Sequence, residues 1–380
     1  MPDIALAIRL KKARERAGLT LSDAASKIGF ANYQTLSSIE KGEREVKASE
    51  LALCAKHYFC NMASLLMEEP LLGAEEVCLL WRKPPPEDKR AETEASIKLR
   101  LENYHLVETL LGIDRLGNPQ PLNVRPEDIQ NDINVDHFAK QTSDVLNLGS
   151  RPAFTLPKVL EQTMQTKVLY VDLSDLGSAA SSVHSKLGAA IVVNFREVPW
   201  RINFTLAHEL FHILTWNLFT PQQLQGDTIY FEVVEKKAER FASTLLLPAE
   251  PLKAELSHRI VDGKLEDTDV IEVAYEFGVS TLALLYRMKN LGWLTYDQVT
   301  EVKKNEEFSR LDRQMRSERR ISAPFSERFI LLAIKCLRKA LISRGKFAEI
   351  VEIDRAEIDD FVEAYGLPDA GANGIEVMAI

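Results

Sequence analysis

FTLAHELFH, residues 204–212, sets two imidazoles four positions apart, His208 and His212, with Glu209 beside the first. On a helix, positions i and i+4 lie one turn apart on the same face, so both rings reach a single metal ion. Glu209 is offset from that line by one residue and addresses a metal-activated water without being a ligand. Phe204, Leu206, Phe211 and Leu214 supply apolar surface that buries the rest of the helix. Catalytic zinc takes three protein ligands and keeps one position open, so a third ligand is expected from a neighbouring element. EKKAERFASTLLLP (235–248) offers the best candidate in Glu235, with 22 residues between it and His212. On that helix Glu232, Glu235 and Glu239 share one side, while Ala238, Phe241, Ala242 and Leu245 line the other. Glu239, one turn past Glu235, is placed to accept a hydrogen bond from a ligand imidazole and fix its tautomer. The expected centre is Zn2+ on His208, His212 and Glu235, with Glu209 as catalytic base and Glu239 supporting a ligand.

Two short apolar, β-branched runs precede the motif, KVLYVDL (167–173) and GAAIVVNF (188–195), bounded by Gly and Ser. These are strand signals. Helices are expected from Val135 to Leu146, Pro157 to Gln165, Pro199 to Thr215 and Val233 to Leu247, the last ended by Pro248. Beyond residue 266 the pattern is helical throughout, with a charged stretch at 302–320. Ile330, Leu331, Ile334 and Leu337 form one stripe there, suited to packing or dimerisation.

FTLAHELFHIL together with E-x-x-A-x-x-F-A-x-x-L-L-x-P at 235–248 resembles the ImmA/IrrE family of bacterial and phage metallopeptidases. The likeness covers about residues 130–295, taking in GAAIVVNF before the motif and AYEFGVSTLALLYRMKNLGWLT (274–295) after it. The resemblance implies a gluzincin-type site similar in logic to thermolysin, zinc at His208, His212 and Glu235, and a catalytic Glu209. It also implies a protein substrate, since these proteases are associated with repressor inactivation. Family members often carry Asn or Asp after E-x-x-A, where this chain has Glu239.

The first residues read differently. Short helices punctuated by Gly18, Gly29 and Gly42 fill residues 4–67. LTLSDAASKIGFANYQTLSSIEKGERE (19–45) resembles an XRE-type (lambda-repressor-like) helix-turn-helix, with Ala24-Ala25 as packing pair and Gly29 as turn glycine. It departs in two places: Leu21 stands where Gln is usual, and one extra residue lies between Gly29 and Ile39. The resemblance implies a helix near Asn32 entering the major groove of double-stranded DNA. Asn32, Gln34, Thr35 and Ser38 would then face base edges, with Lys41 and Arg44 near phosphates. Residues 1–68 hold ten Lys/Arg against eight Asp/Glu, so the basic surplus is small and a protein-binding bundle stays open. After it, LLWRKPPPEDKRAETEA (79–95) combines a proline run with dense charge and is expected outside any core. One amphipathic helix follows from Glu92 to Gly112, then a turn-rich connection with Gly117, Pro119, Pro121 and Pro126.

A net charge of −9 argues against a chain devoted wholly to nucleic acid. No apolar run approaches the roughly 20 residues that span a bilayer, and the charged N-terminus lacks a signal-peptide core. Cys54, Cys60, Cys78 and Cys336 show neither metal-ligand nor disulfide-framework spacing, which fits reduced thiols in the cytoplasm. The expected architecture is multi-domain and mainly α: a five-helix helix-turn-helix bundle (1–69), a charged linker and helix (70–128), a small α+β metallopeptidase core (129–265) and a helical C-terminal lobe (266–380). The expected function is a cytoplasmic regulatory zinc peptidase with a homodimer as one possible assembly. The alternative is a DNA-binding regulator whose zinc domain senses a signal without turnover.

Overall fold

A computed structural model describes residues 3–66, 77–113, 122–173, 178–317 and 326–365. The expected turn residues Gly117, Pro119 and Pro121, and the end of the charged stretch at 318–320, lie outside the described residues.

Five helices open the chain: α1 (Ile4–Arg16), α2 (Leu21–Ile28), α3 (Tyr33–Glu40), α4 (Ala48–His57) and α5 (Met62–Leu66). Side chains cap the first three, Asp3 accepting from Leu6 N, Thr20 from Asp23 N and Asn32 from Thr35 N. Gly29 ends α2 at φ 87°, a left-handed conformation that glycine adopts without strain. Leu10, Ala24, Leu36 and Cys54 close the core. Beneath them the Arg14 guanidinium forks onto the buried Glu40 carboxylate at 2.7 and 2.9 Å, tying α1 to α3.

Next comes β1 (Leu80–Trp81), then α6 (Glu87–Leu110), which starts five residues before the expected Glu92. The bundle rests on α6 closely enough that a Cβ on Gly18 would lie 2.7 Å from the Ala91 Cβ, and Lys27 pairs with Glu92 at 2.8 Å. The expectation that 79–95 stays outside any core fails at its start, because Leu79, Leu80 and Trp81 are buried. Pro84 to Pro86 end the strand, since proline offers no ladder donor.

Helices α7 (Asp132–Val145) and α8 (Pro152–Lys158) lead into the sheet. The helix expected from Pro157 starts instead at Pro152; Pro157 lies inside α8, and a wider turn, Val159–Thr163, follows. Either proline suits a first helical position, so sequence alone leaves the choice open. Strands β2 (Lys167–Val171), β3 (Ala179–His184) and β4 (Gly188–Asn194) then join β1 in the order β1-β3-β4-β2. β4 pairs antiparallel with β3 and parallel with β2, so it is interior. The strand β3 carries Ala-Ala-Ser-Ser-Val-His and gives no strong strand signal, yet Ala179 to Ser182 are buried because both faces of the sheet are covered.

One face is packed by α9 (Pro199–Leu214), followed by α10 (Pro221–Gly226), α11 (Thr228–Leu246) and α12 (Ala249–Ser257). Helices α13 (Asp267–Glu276), α14 (Thr281–Asn290), α15 (Tyr296–Lys304) and α16 (Glu306–Ser317) complete that side. Its hydrophobic core takes in Leu80 and runs from Ile129 to Phe308 without a break at residue 265, and Asn203 of α9 donates to the Gly278 carbonyl at 2.9 Å. The other face is covered by α6 with α17 (Glu327–Arg338), α18 (Arg344–Val351) and α19 (Ile358–Ala364). Ile330 and Ile334, half of the C-terminal stripe, are consumed inside this second core. No helix among the described residues is long and apolar enough to cross a membrane.

Candidate metal centre

Helix α9 begins with Pro199 at its first turn and ends where the Thr215 hydroxyl donates back to the Phe211 carbonyl at 2.7 Å. Helix α11 begins at Asp227, whose carboxylate accepts from Tyr230 N, and stops before Pro248. Phe211 locks the two together: its ring lies 5.5 Å from Phe241 of α11 and 6.4 Å from Phe138 of α7. Aromatic pairs in this range add to burial, and here they fix which residues of α9 face which residues of α11.

The result brings His208, His212 and Glu235 together, their ligand atoms all within 4.8 Å of one another. His208 Nε2 is 3.2 Å from Glu235 Oε2, His212 Nε2 is 3.0 Å from Glu235 Oε1, and the two Nε2 atoms are 3.2 Å apart. Burial pushes the Glu209 carboxyl up to about 7, with His212 opposing and Glu235 adding to the rise. Burial lowers His208 to about 4 against the pull of Glu235. For Glu235 burial acts upward, but the two imidazoles outweigh it and hold the carboxyl at about 2. A charged Glu235 beside a neutral His208 is the protonation state that metal ligation requires.

The donor set fits a metal ion. Both Glu209 oxygens and Glu235 Oε1 are buried without a hydrogen-bond partner, beside two imidazole Nε2 atoms only 3.2 Å apart. Carboxylate oxygens orphaned in this way are costly unless a cation, or a water held by one, satisfies them. Two imidazoles and one carboxylate form the two-His, one-Glu set suited to catalytic zinc.

The other expected residues divide. Glu239 does not support an imidazole: its carboxylate is 54% exposed and accepts from Arg82 at 3.1 Å. One turn along α11 carries it past the rings towards the end of β1. Arg82 and Ser181 are additions from structure. Arg82 follows β1, its backbone N–H donating to the Ala179 carbonyl at 3.2 Å, and Ser181 of β3 favours the charged form of Glu209. The pair Leu-Trp before Arg82 is too short for a periodic signal, which is why sequence reading missed it. In the bundle, Asn32, Gln34 and Lys41 are exposed, and Thr35 and Ser38 partly so. Asn32 and Thr35 are engaged in the α3 cap, while Arg44 is forked onto Glu50 at 2.8 and 3.3 Å rather than standing free. Tyr33, 52% exposed at the start of α3, is a surface side chain that the sequence reading passed over.

Residues 162–289 match the model of the IrrE N-terminal-like domain, Peptidase_M78, and residues 10–65 match a helix-turn-helix model, HTH_3. No curated protein matches the chain. The crystal structure of Bacillus thuringiensis PlcR in complex with the peptide PapR7 and DNA is 12% identical, covering 96% of this chain and 97% of that one. Its TM-score is 0.16, too low to describe a shared arrangement. The chain is thus similar to a helix-turn-helix domain near its N-terminus and, over 162–289, to the IrrE N-terminal-like domain of Peptidase_M78, the stretch that contains the His208, His212 and Glu235 cluster.

Proposed function

We propose that this chain is a cytoplasmic zinc endopeptidase of the gluzincin type that cuts a specific protein, a repressor or similar regulator, under the direction of its helix-turn-helix bundle. The observation that carries this is the convergence of His208, His212 and Glu235 beside a buried, unpartnered Glu209, inside the matched peptidase domain. Zinc bound there would supply Lewis acidity towards a water and a peptide carbonyl. Glu209 takes the attacking water's proton and hands it to the leaving amine. His208 and His212 would hold the ion through Nε2, and Glu235 would contribute the neutralising carboxylate. Helices α13 and α14, packed into the same core as α9, act as part of the catalytic unit's frame.

The bundle, residues 1–69, is the address. Its α3 presents Tyr33 and Gln34 outward, and we assign it to duplex DNA, where docking near a bound repressor raises local substrate concentration. The substrate segment does not pair with β4, because β3 and β2 occupy both its edges. The deciding experiment incubates zinc-loaded protein with repressors encoded beside it and, separately, with casein. Selective repressor cleavage is expected. Rapid casein digestion without repressor cleavage makes the chain a general degradative peptidase, and zinc uptake with no cleavage of either favours a sensor that regulates transcription without turnover.

A further inference from the structure

Arg82 reaches the metal centre from outside the matched domain, which begins at residue 162. β1 pairs with the edge of β3, Leu80 opposite Ser181 and Trp81 opposite Ala180, and the pairing delivers the next residue to the middle of α11. There the guanidinium lies 3.9 Å from Glu235 Oε2 and 3.1 Å from Glu239 Oε1. Its charge also acts on Glu197, His208 and Glu209. β1 is itself well held: Leu80 and Trp81 are buried in the two cores on either side of the sheet, and Trp81 Nε1 donates to Glu94 at 2.9 Å.

We propose that Arg82 is a positioning residue of the metal centre, bridging Glu239 to Glu235 so that the Glu235 carboxylate stays aimed at both imidazoles. Ligating carboxylates depend on such outer partners, and losing one weakens metal binding about 10–100-fold. Glu239 has its own part in this arrangement, because its charge offsets that of Arg82 and keeps the guanidinium from repelling the ion. The inference rests on the zinc-centre reading above but not on turnover.

A purely electrostatic role has the opposite sign. Removing Arg82 leaves Glu197, Glu209, Glu235 and Glu239 with one fewer cation among them, which by itself tightens cation binding. The direction of the change is therefore diagnostic. Zinc affinity is measured by chelator competition on full-length wild type, Arg82→Ala, Arg82→Lys and Glu239→Ala, with thermal unfolding of each metal-free protein as control. Expected are zinc binding about 10–100-fold weaker in Arg82→Ala, part of it restored in Arg82→Lys, a smaller loss in Glu239→Ala, and metal-free melting unchanged. Affinity within about twofold of wild type, or tighter, overturns the positioning role. So does a loss that follows a fall in metal-free melting temperature, which marks Arg82 as a strand-stabilising residue only. Absence of zinc from wild type brings down the metal-centre reading itself, whereas zinc responses as expected without hydrolysis in any variant leave Arg82 in place and remove the peptidase.

Discussion

At the scale of single residues, the centre depends on which carboxylate of α11 meets the imidazoles. Glu235 does so at 3.0 and 3.2 Å, and Glu239 does not. Glu235→Ala is therefore expected to lose stoichiometric zinc, while Glu239→Ala still fills at saturating metal; elemental analysis after desalting reads both. Full occupancy of the first with loss from the second would move the ligand role to Glu239. Glu209 touches neither ligand role, so Glu209→Gln keeps zinc and fold. Its amide cannot take a proton from water, and hydrolysis is expected to fall at least 10²–10⁴-fold. Turnover at the wild-type rate in that variant would remove Glu209 from the mechanism.

At the scale of elements, two contacts carry structure into function. Phe241 is fully buried against Phe138 at 5.1 Å and Phe211 at 5.5 Å, at the junction of α7, α9 and α11. Phe241→Ala leaves a cavity expected to cost about 3–5 kcal/mol and to weaken zinc binding in step, as urea unfolding and chelator competition would register. A stability loss with unaltered zinc affinity would show that α9 and α11 keep their register without the ring. In the bundle, the Asn32 carboxamide accepts from Thr35 N at 3.1 Å and starts α3. Asn32→Ala is expected to destabilise that helix by about 1 kcal/mol whether or not DNA is bound. If Asn32 also reads a base, anisotropy will show a loss of sequence preference beyond the loss of fold.

At the scale of the whole molecule, the second core contains a carboxyl whose ionisation opposes folding. Glu161 is buried, accepts from the Ser326 hydroxyl and from Arg328 N at 3.5 Å, and lies near Tyr104 and Tyr170. Burial pushes it up to about 7, and the bonds from Ser326 and Arg328 only partly offset this. Between about pH 4.5 and 7 the folded chain therefore holds a proton that the unfolded chain has released. Stability from this group is full below that window and is lost as pH rises through it, by an amount on the order of 3 kcal/mol. Glu161→Gln should flatten that slope, seen as a variant-minus-wild-type difference that grows in the variant's favour from pH 5 to pH 8 in urea titrations. An equal difference at both pH values would mean that Glu161 is already ionised when folded.

The sequence by itself pointed to His208, Glu209, His212 and Glu235, because the first three sit on one helix, where spacing alone sets direction, and because Glu235 lies on a second helix with a clear apolar face. It likewise determined the capped helices of the bundle, through Thr20, Asn32 and Gly29, since caps act within four residues. What it left undecided were features made by distant pairing. β3 is a strand because α9 and α6 lie over the sheet on either side, not because Ala-Ala-Ser-Ser prefers one. Leu80 and Trp81 enter the core only because the β3 edge is there to receive them, about a hundred residues further along the chain. Arg82 meets Glu235 and Glu239 by the same route. Local periodicity records the face an element presents, whereas edge pairing and the side chains it delivers are set by which surfaces remain free once the other elements have packed.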